Sequence, residues 1–292
     1  MINRSLGNRV FDTINAVTLF IVGMLTIIPF VLIISGSFAP AEELLKKGVV
    51  FFPSRFSFDA YRYIFSTDSL IRSMLVTIYI TVVGTLVNLF LTSITAYGLA
   101  RKDLLGRRPF MLLIIFTLLF NGGIIPTFLV VKSFGLLDSY NSLIIPTAIS
   151  AFNLIILKNF FQQLPEGLEE AAKIDGCNDF GILFRIVLPL SMPALATFAL
   201  FYAVGHWNAF FNAILYINDS NKWPIQVLLR QIVIMSQGGI GDSAQFNDQF
   251  IVPPAQTVSM AVIVVSTIPI LLVYPFLQKH FTKGLLLGSV KG

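Results

Sequence analysis

Polar and aromatic side chains alternate between residues 202 and 216 in a pattern that suits the recognition of a sugar. Trp207 and Phe211 offer flat aromatic faces, and Asn208 and Asn212 offer amides one turn apart if the segment is one continuous helix. Amides pair with sugar hydroxyls, and the C–H face of a sugar ring packs on an aromatic ring. We therefore predict contact with a neutral sugar along a substrate path formed by Asn121, Tyr202, Trp207, Asn208, Phe211, Asn212 and Tyr216.

A structural interpretation of the same residues stays open. Trp207 and Tyr216 would then belong to an aromatic belt at a membrane interface, and the asparagines would bond neighbouring helices. His206 has no second histidine or carboxylate close to it in the sequence, so we expect neither a metal site nor a proton relay there.

The second candidate site is a charged segment, residues 164–189, which suits contact with another protein. Glu169 and Lys173 form an i,i+4 pair in the favourable order on a predicted helix. Ala171 and Ala172 leave a narrow surface that a partner could approach closely. Isolated helices this short are marginal in water, so the segment needs packing from its own chain or from a partner.

The bounds of this segment are marked by residues that begin and end helices. Pro165 favours the first turn of a helix and Gly176 the position just past its end, which predicts about 10 helical residues. Asn178 or Asp179 is a candidate cap for a second short helix, which Pro189 is expected to interrupt. Two helices joined at a glycine corner would form a rigid projection.

The chain contains no recognisable catalytic motif. It has no phosphate-binding loop, no dinucleotide fingerprint, and neither the zinc-protease nor the serine-hydrolase signature. Every carboxylate lies outside the long uncharged stretches, which argues against ion-driven transport. Its single cysteine, Cys177, excludes an internal disulfide. We expect no catalytic residue, no metal and no cofactor in this chain, and transport driven by another polypeptide.

The composition is that of an integral membrane protein. The chain of 292 residues is 55% hydrophobic and only 12% charged, against about 25% charged residues in a typical soluble domain. Six stretches without Asp, Glu, Lys or Arg can each supply the roughly 20 apolar residues that span a bilayer. We predict an all-α protein with six transmembrane helices near residues 14–38, 73–99, 110–131, 140–160, 190–217 and 255–277.

The distribution of basic residues predicts that both termini are cytoplasmic. The loop Arg101–Arg108 carries four positive charges between the second and third spans, and basic residues favour the cytoplasmic side. The charged segment at residues 164–189 then faces the cytoplasm as well. The net charge of +5 is explained by this bias, so no nucleic-acid partner is expected. The first span is too long for a signal peptide and is interpreted as a retained anchor.

Prolines and glycines interrupt several of the predicted spans. Asn121-Gly122-Gly123 stands shortly before Pro126, and broken backbone at membrane depth is tolerated where protein or a water-filled cavity surrounds it. This segment is a candidate lining or hinge of a path, and a simple kink is the open alternative.

The charged segment resembles the EAA loop of ABC importer permeases, which lies between the fourth and fifth of six spans. The matching residues are Glu170, Ala171, Ala172, Gly176, Ile186, Leu188 and Pro189. The resemblance extends over nearly the whole chain to permeases of carbohydrate ABC importers, the maltose-permease-like group. The runs similar to its branch for complex oligosaccharides are Asn121–Thr127, Gly205–Ile217, Trp223–Ile232 and Gly284–Gly292.

This resemblance implies the type I importer permease fold and a role for the loop in coupling to an ATPase. Glu170 matches the glutamate that pairs with a basic residue of the ATPase, and Gly176 matches the corner of the motif. The ATPase-coupling residues it implies are Glu169, Glu170, Ala171, Ala172, Asp175, Gly176, Ile186, Leu188 and Pro189.

The resemblance also implies a set of partners. These are a second homologous permease, two ATP-binding subunits that carry ATP and Mg²⁺, and an extracytoplasmic solute-binding protein that delivers a sugar. The chain would be a multi-pass permease in the cytoplasmic membrane of a prokaryote, forming half of the path for a carbohydrate and more specifically an oligosaccharide. A permease for a non-sugar solute is the near alternative, and a membrane scaffold or passive channel is the more distant one.

Overall fold

The computed structural model describes residues 6–236 and 255–289, and every regular element in these two ranges is helical. The helices are α1 (Leu6–Ser37), α2 (Ala41–Lys47), α3 (Asp59–Ser66), α4 (Asp68–Ala100), α5 (Arg107–Leu119), α6 (Ile124–Ser133), α7 (Asn141–Ile144), α8 (Ala151–Phe161), α9 (Glu166–Ile174), α10 (Asp179–Ile182), α11 (Leu188–Leu190), α12 (Met192–Trp207), α13 (Phe211–Tyr216), α14 (Ile225–Ser236) and α15 (Ala255–Ser289). Short 3₁₀ turns at Ile145–Thr147 and Ser220–Lys222 and a π-helix at Leu183–Val187 complete the described elements. The prediction of an all-helical chain is confirmed.

Three helices are long and apolar enough to cross a membrane alone. These segments are Val10–Ser37, Asp68–Ala100 and Gln256–Val273. Three bent helix pairs pass the same test together, which gives up to six candidate spans in the described ranges. The last helix runs on to Ser289, past the predicted end of the sixth span at residue 277.

Three of the predicted spans are not continuous helices. The span predicted at residues 110–131 breaks after Leu119 and bends by 118°, because Gly123 adopts a left-handed φ of 88° and its N–H is bonded to the Asn121 side chain. The span predicted at residues 140–160 bends by 53°. There the Ser150 hydroxyl begins a new helix by accepting the N–H of Asn153.

The span predicted at residues 190–217 is also divided. Its helix ends at Trp207 and resumes at Phe211. The amide of Asn208 donates to the Val204 carbonyl at 3.0 Å and so occupies an acceptor at the end of the helix. The prediction that Asn208 and Asn212 lie one turn apart on a single helix is therefore wrong.

The chain divides into two compact units, residues 1–68 with 229–267, and residues 69–228 with 268–292. In the first unit, the buried Glu43 accepts hydrogen bonds from the N–H and hydroxyl of Ser54 at 2.9 and 2.6 Å and pairs with Lys47 at 2.8 Å. These bonds, with that of Lys47 the strongest, lower the pKa of Glu43 to about 2. The carboxylate thereby holds the segment after α2 in place.

Helix α4 organises the second unit through buried polar contacts. Its Asn88 amide donates to the Thr147 carbonyl at 2.7 Å, and its Thr92 hydroxyl lies 2.8 Å from the hydroxyl of Tyr202. That Tyr202 hydroxyl also accepts the N–H of Ser150 at 3.3 Å. Buried polar groups in a membrane helix must be satisfied inside the protein, and these bonds tie the bend before α8 to α4 and α12.

A close approach of α4 and α12 requires a glycine. The His206 Nε2 lies 3.1 Å from the Asn88 Oδ1, and a Cβ added at Gly84 would lie only 2.5 Å from the same Nε2. The imidazole is buried and contacts Asn88, so moving it away from an added methyl group would disturb that contact. Gly84 is thus the small residue that lets these two helices meet.

We predict that Gly84→Ala destabilises the protein by about 1–3 kcal/mol, the usual cost of overpacking a filled site. The apparent melting temperature in detergent measures the loss. Gly98→Ala on the same helix is the matched control, because among the described residues no atom outside its own stretch of α4 lies within 4 Å of the added Cβ. An unchanged melting temperature for Gly84→Ala would contradict the close approach at His206.

Candidate coupling surface and transport path

The charged segment forms an elbow, which we define as α9, the corner at residues 175–178 and the helical run Asp179–Leu190. Helix α9 begins directly after Pro165, which supplies the fixed φ of a helix entry. It ends as predicted at a glycine: Gly176 has a left-handed φ of 80°, and the N–H groups of Gly176 and Cys177 bond the carbonyls of Lys173 and Ala172. This pair of bonds is the Schellman arrangement, which fixes the direction in which the chain leaves the helix.

The second arm of the elbow is capped by Asn178, whose side chain accepts the N–H of Gly181 at 2.7 Å. The arm continues through the π-helix to Leu190 and then bends by 84° into α12. Pro189 was expected to interrupt this second helix, but the helical run continues through the proline to Leu190. The proline lies in the first turn of α11, directly after the π-helix at Leu183–Val187.

One face of the elbow is packed inside its own chain. Ala172 is 5% exposed, and the second arm contributes fully buried residues to the same apolar cluster. The other members come from the ends of the membrane helices α4, α8 and α12. The buried residues of the elbow are Ala172, Ile182, Leu183 and Val187.

The opposite face of the elbow is open to solvent. Glu170, Ala171 and Asp175 are exposed, as are two large apolar side chains: Ile174 is 86% exposed and Phe180 is 64% exposed. The two alanines of the motif therefore differ, since Ala172 packs inward and Ala171 faces outward. Of the remaining predicted coupling residues, Ile186 and Leu188 are half-buried and Pro189 is exposed.

A groove of about 220 Å³ lies between α9 and the chain that follows α4. It is lined by residues of both elbow arms, including Glu169, Glu170 and Ile186, and by Arg101. Arg101 is a residue of the site that sequence reasoning did not identify. Its position directly after a predicted span was explained by the positive-inside bias alone, and nothing in the sequence indicates that it meets the elbow.

The predicted substrate-path residues are divided between the interior and the surface. Tyr202 is buried with its hydroxyl bonded, and Tyr216 is buried with its ring 6.2 Å from that of Phe128. Trp207 is also buried, and its Nε1 has no hydrogen-bond partner among the described residues. Asn212 is half-buried.

The other three members of the set lie at breaks between helices. Asn121, Asn208 and Phe211 are exposed in this chain. Asn121 follows α5, and Asn208 and Phe211 flank the break between α12 and α13. Amides and an aromatic ring at such breaks are suited to non-covalent recognition of a polar solute. The described ranges hold no group of three or more His, Cys, Asp or Glu that fits a metal ion.

The sequence of this chain matches a known protein family and known relatives. Residues 4–286 match the profile of the family "Binding-protein-dependent transport system inner membrane component". The chain is 62% identical to the polygalacturonan/rhamnogalacturonan transport system permease protein YtcP of Bacillus subtilis (strain 168), over 98% of this chain and 99% of the relative. It is 58% identical to the protein LplC of the same organism, over 98% and 96%.

A solved structure has the same fold. It is a chain from the crystal structure of a bacterial ABC transporter involved in the import of the acidic polysaccharide alginate. The TM-score is 0.89 at 34% sequence identity, and the alignment covers 96% of this chain and 100% of the other.

We predict that Gly176→Ala loosens the corner of the elbow, because an alanine in the left-handed conformation costs about 1–2 kcal/mol. Hydrogen exchange of the Cys177 amide, which is bonded to the Ala172 carbonyl, should become about 5–30 times faster. Gly167→Ala is the control, since Gly167 lies within α9 and no atom is within 4 Å of its added Cβ. Equal exchange in both variants would show that the corner does not depend on Gly176.

Proposed function

Since the chain belongs to the family of binding-protein-dependent transport system inner membrane components, we propose that it forms half of the path through which an ABC importer carries an acidic oligosaccharide into the cell. Membership confirms the resemblance found in the sequence. It makes the chain a multi-pass permease of the bacterial inner membrane and a subunit that is not itself catalytic.

The observation that carries the substrate class is the 62% identity over 98% of this chain to a permease named for polygalacturonan and rhamnogalacturonan. A galacturonan carries a carboxylate on each uronic acid unit, and the matching solved transporter imports alginate, which is also acidic. The proposal therefore departs from the neutral sugar expected from the amides and rings alone. Amide N–H groups can pair with a carboxylate as well as with a hydroxyl.

The path is proposed to run past the breaks between helices. Asn121, Asn208 and Phe211 line it, because they are exposed at points where the backbone of a candidate span is interrupted. Interrupted membrane helices are the usual place for a solute site, since the cavity they line can satisfy the freed backbone groups. Tyr202, Trp207 and Tyr216 are buried, so we do not assign them a contact with the solute in this chain.

The exposed face of the elbow is the proposed contact with an ATP-binding subunit. Ile174, one turn after Ala171 on α9, and Phe180 on the second arm expose large apolar side chains, and exposed apolar groups with a neighbouring carboxylate are typical of a protein interface. Glu170 is exposed at the edge of this patch and is placed to meet a basic residue of the partner. The buried face keeps the two arms at a fixed angle, as a mechanical contact requires.

The remaining partners are a second permease, a second ATP-binding subunit and an extracytoplasmic binding protein. ATP and Mg²⁺ are held by the ATP-binding subunits and not by this chain. ATP binding brings those subunits together, moves the elbow with them, and favours the state in which the path opens to the binding protein. This is a rigid-body transition driven by the difference in affinity of ATP for two states.

We predict that the reconstituted importer takes up a labelled oligogalacturonide, and that the double variant Asn208→Ala, Phe211→Ala lowers the affinity of transport on the order of tenfold. The loss combines a hydrogen bond of about 1 kcal/mol with aromatic packing of about 0.5–1.5 kcal/mol. The apparent KM in proteoliposomes measures it. Phe134→Ala, at a side chain that is 75% exposed after α6, is the control.

Uptake of a neutral oligosaccharide of the same length in preference to the oligogalacturonide would overturn the acidic substrate. An unchanged KM in the double variant would remove Asn208 and Phe211 from the path.

We predict that Ile174→Glu weakens assembly with the ATP-binding subunits by at least tenfold, because it places a charge at the centre of an apolar contact. The dissociation constant of the detergent-purified complex measures the effect, and Ile174→Leu is the matched control. Glu170→Ala should permit assembly but reduce ATP hydrolysis stimulated by the loaded binding protein. Normal assembly of Ile174→Glu would refute the proposed contact.

A further inference from the structure

Arg101 contacts both arms of the elbow from the end of α4. Its Nη1 lies 2.8 Å from the Asp179 Oδ1 at the start of the second arm and 3.6 Å from the Glu169 Oε2 on α9. The same nitrogen donates to the hydroxyl of Tyr97, one turn earlier on α4, at 3.1 Å. A single side chain thus joins three elements that are up to 78 residues apart in the sequence.

The guanidinium of Arg101 is held in one orientation by burial and by hydrogen bonds to Asp103. The Arg101 side chain is only 15% exposed, and its Nε and Nη2 each bond one oxygen of Asp103 at 3.1 Å. This two-bond fork fixes the plane of the guanidinium, which lysine cannot do. The guanidinium also lowers the pKa of Asp103, so that carboxylate stays ionised. Nη1 is then directed at the elbow.

The ion pairs that join Arg101 to the elbow are partly exposed to solvent. The Asp179 side chain is 65% exposed and that of Glu169 is 33% exposed, so solvent screens both pairs. Their importance lies in connecting two arms to one point. A further bond at the same level joins the Gln162 amide, directly after α8, to the Ala100 carbonyl at 3.2 Å.

Helix α4 is the element to which this fastening transmits movement. It is continuous from Asp68 to Ala100, and Thr92 and Asn88 lie about two and a half and three and a half turns before Arg101. Thr92 contacts Tyr202 within α12, and Asn88 bonds the Thr147 carbonyl at the bend before α8. Asn88 also lies 3.1 Å from His206, two residues before the break at Asn208. A displacement of the elbow that carries Arg101 with it therefore reaches the end of α12 beside the proposed path.

We propose that Arg101 is a positioning residue that fastens both arms of the elbow to α4, so that movement imposed by the ATP-binding subunit passes into the transport path. The inference rests on the proposed role of the elbow as the ATPase contact. Loss of the fastening leaves the apolar cluster to join the elbow to α4, so that less of the elbow's movement reaches this helix. ATP is then hydrolysed with less import for each ATP consumed.

The test uses the complete importer, reconstituted with its binding protein. It compares variants of Arg101 with variants of the carboxylates that contact its guanidinium. Arg101→Ala and Asp179→Asn each lower the ratio of oligosaccharide imported to ATP hydrolysed by about tenfold, within the roughly 5–150-fold range of coupling between sites. The double variant Arg101→Ala, Asp179→Asn has the same ratio of import to ATP hydrolysis as Arg101→Ala alone, because both single changes remove the same ion pair. Arg101→Lys restores the ratio only in part.

Arg108→Ala is the matched control, because Arg108 is an exposed arginine at the far end of the same loop and does not line the groove beside the elbow. It keeps the ratio of the unmodified importer. A ratio that falls in Asp103→Asn but not in Asp179→Asn would overturn the proposal and limit Arg101 to shaping its own loop. Unchanged ratios in both Arg101→Ala and Asp179→Asn would overturn it as well.

The same preparations separate this inference from the proposed ATPase contact. If only the fastening is wrong, Ile174→Glu still prevents assembly while Asp179→Asn imports normally. If the ATPase contact itself is wrong, Ile174→Glu assembles and imports normally. Should Arg101→Ala fail to fold, Asp179→Asn alone decides, because its side chain is largely exposed and is not needed for packing.

Discussion

The burial of one face of the elbow against α4, α8 and α12 is the interaction on which the proposed coupling role of this chain depends. Helices of this length have little stability in water by themselves. The elbow gains stability by packing against the chain's own membrane helices. The residues that join this apolar cluster are Ala172, Ile182, Leu183 and Val187. The opposite face, with Ile174 and Phe180, is then free to meet a partner without any change in the angle between the arms.

The membrane imposes a second constraint, because polar groups in its interior must find partners inside the protein. Helix α4 meets this requirement at the bends of its neighbours, where Asn88, Thr92 and Tyr202 bond backbone groups or one another. Asn88 also lies 3.1 Å from His206, which connects α4, the helix that reaches the elbow, with the end of α12 beside Asn208. The elbow and the proposed path are thus joined through α4.

Much of this arrangement could be predicted from the sequence. Uncharged stretches indicated the candidate spans, and Gly176 marked the corner of the elbow because a left-handed turn at a helix end favours glycine. The bends at Gly123 and Ser150 were harder to predict. Apolar composition alone does not distinguish a straight helix from two shorter ones, and local bonds from Asn121 and Ser150 decide the matter.

Contacts between distant residues could not be predicted at all. Two adjacent alanines look equivalent in the sequence, and only the packing of the elbow turns Ala172 inward and leaves Ala171 outside. Arg101 shows the same limit: its charge explains the orientation of a loop, whereas its meeting with Asp179 depends on how helices far apart in the chain pack. The proposal of an acidic substrate rests on the relatives, since amides and aromatic rings suit neutral and acidic sugars alike.

The most direct measurement of the central claim is the reactivity of a cysteine at the exposed face of the elbow, with and without the ATP-binding subunits. Ile174→Cys in a Cys177→Ser background would be labelled with a maleimide, and Phe52→Cys, at a side chain that is 86% exposed in the segment after α2, would serve as the reference. The account predicts that assembly protects residue 174 and leaves residue 52 fully reactive. Equal labelling of residue 174 in the free permease and in the assembled importer would contradict it.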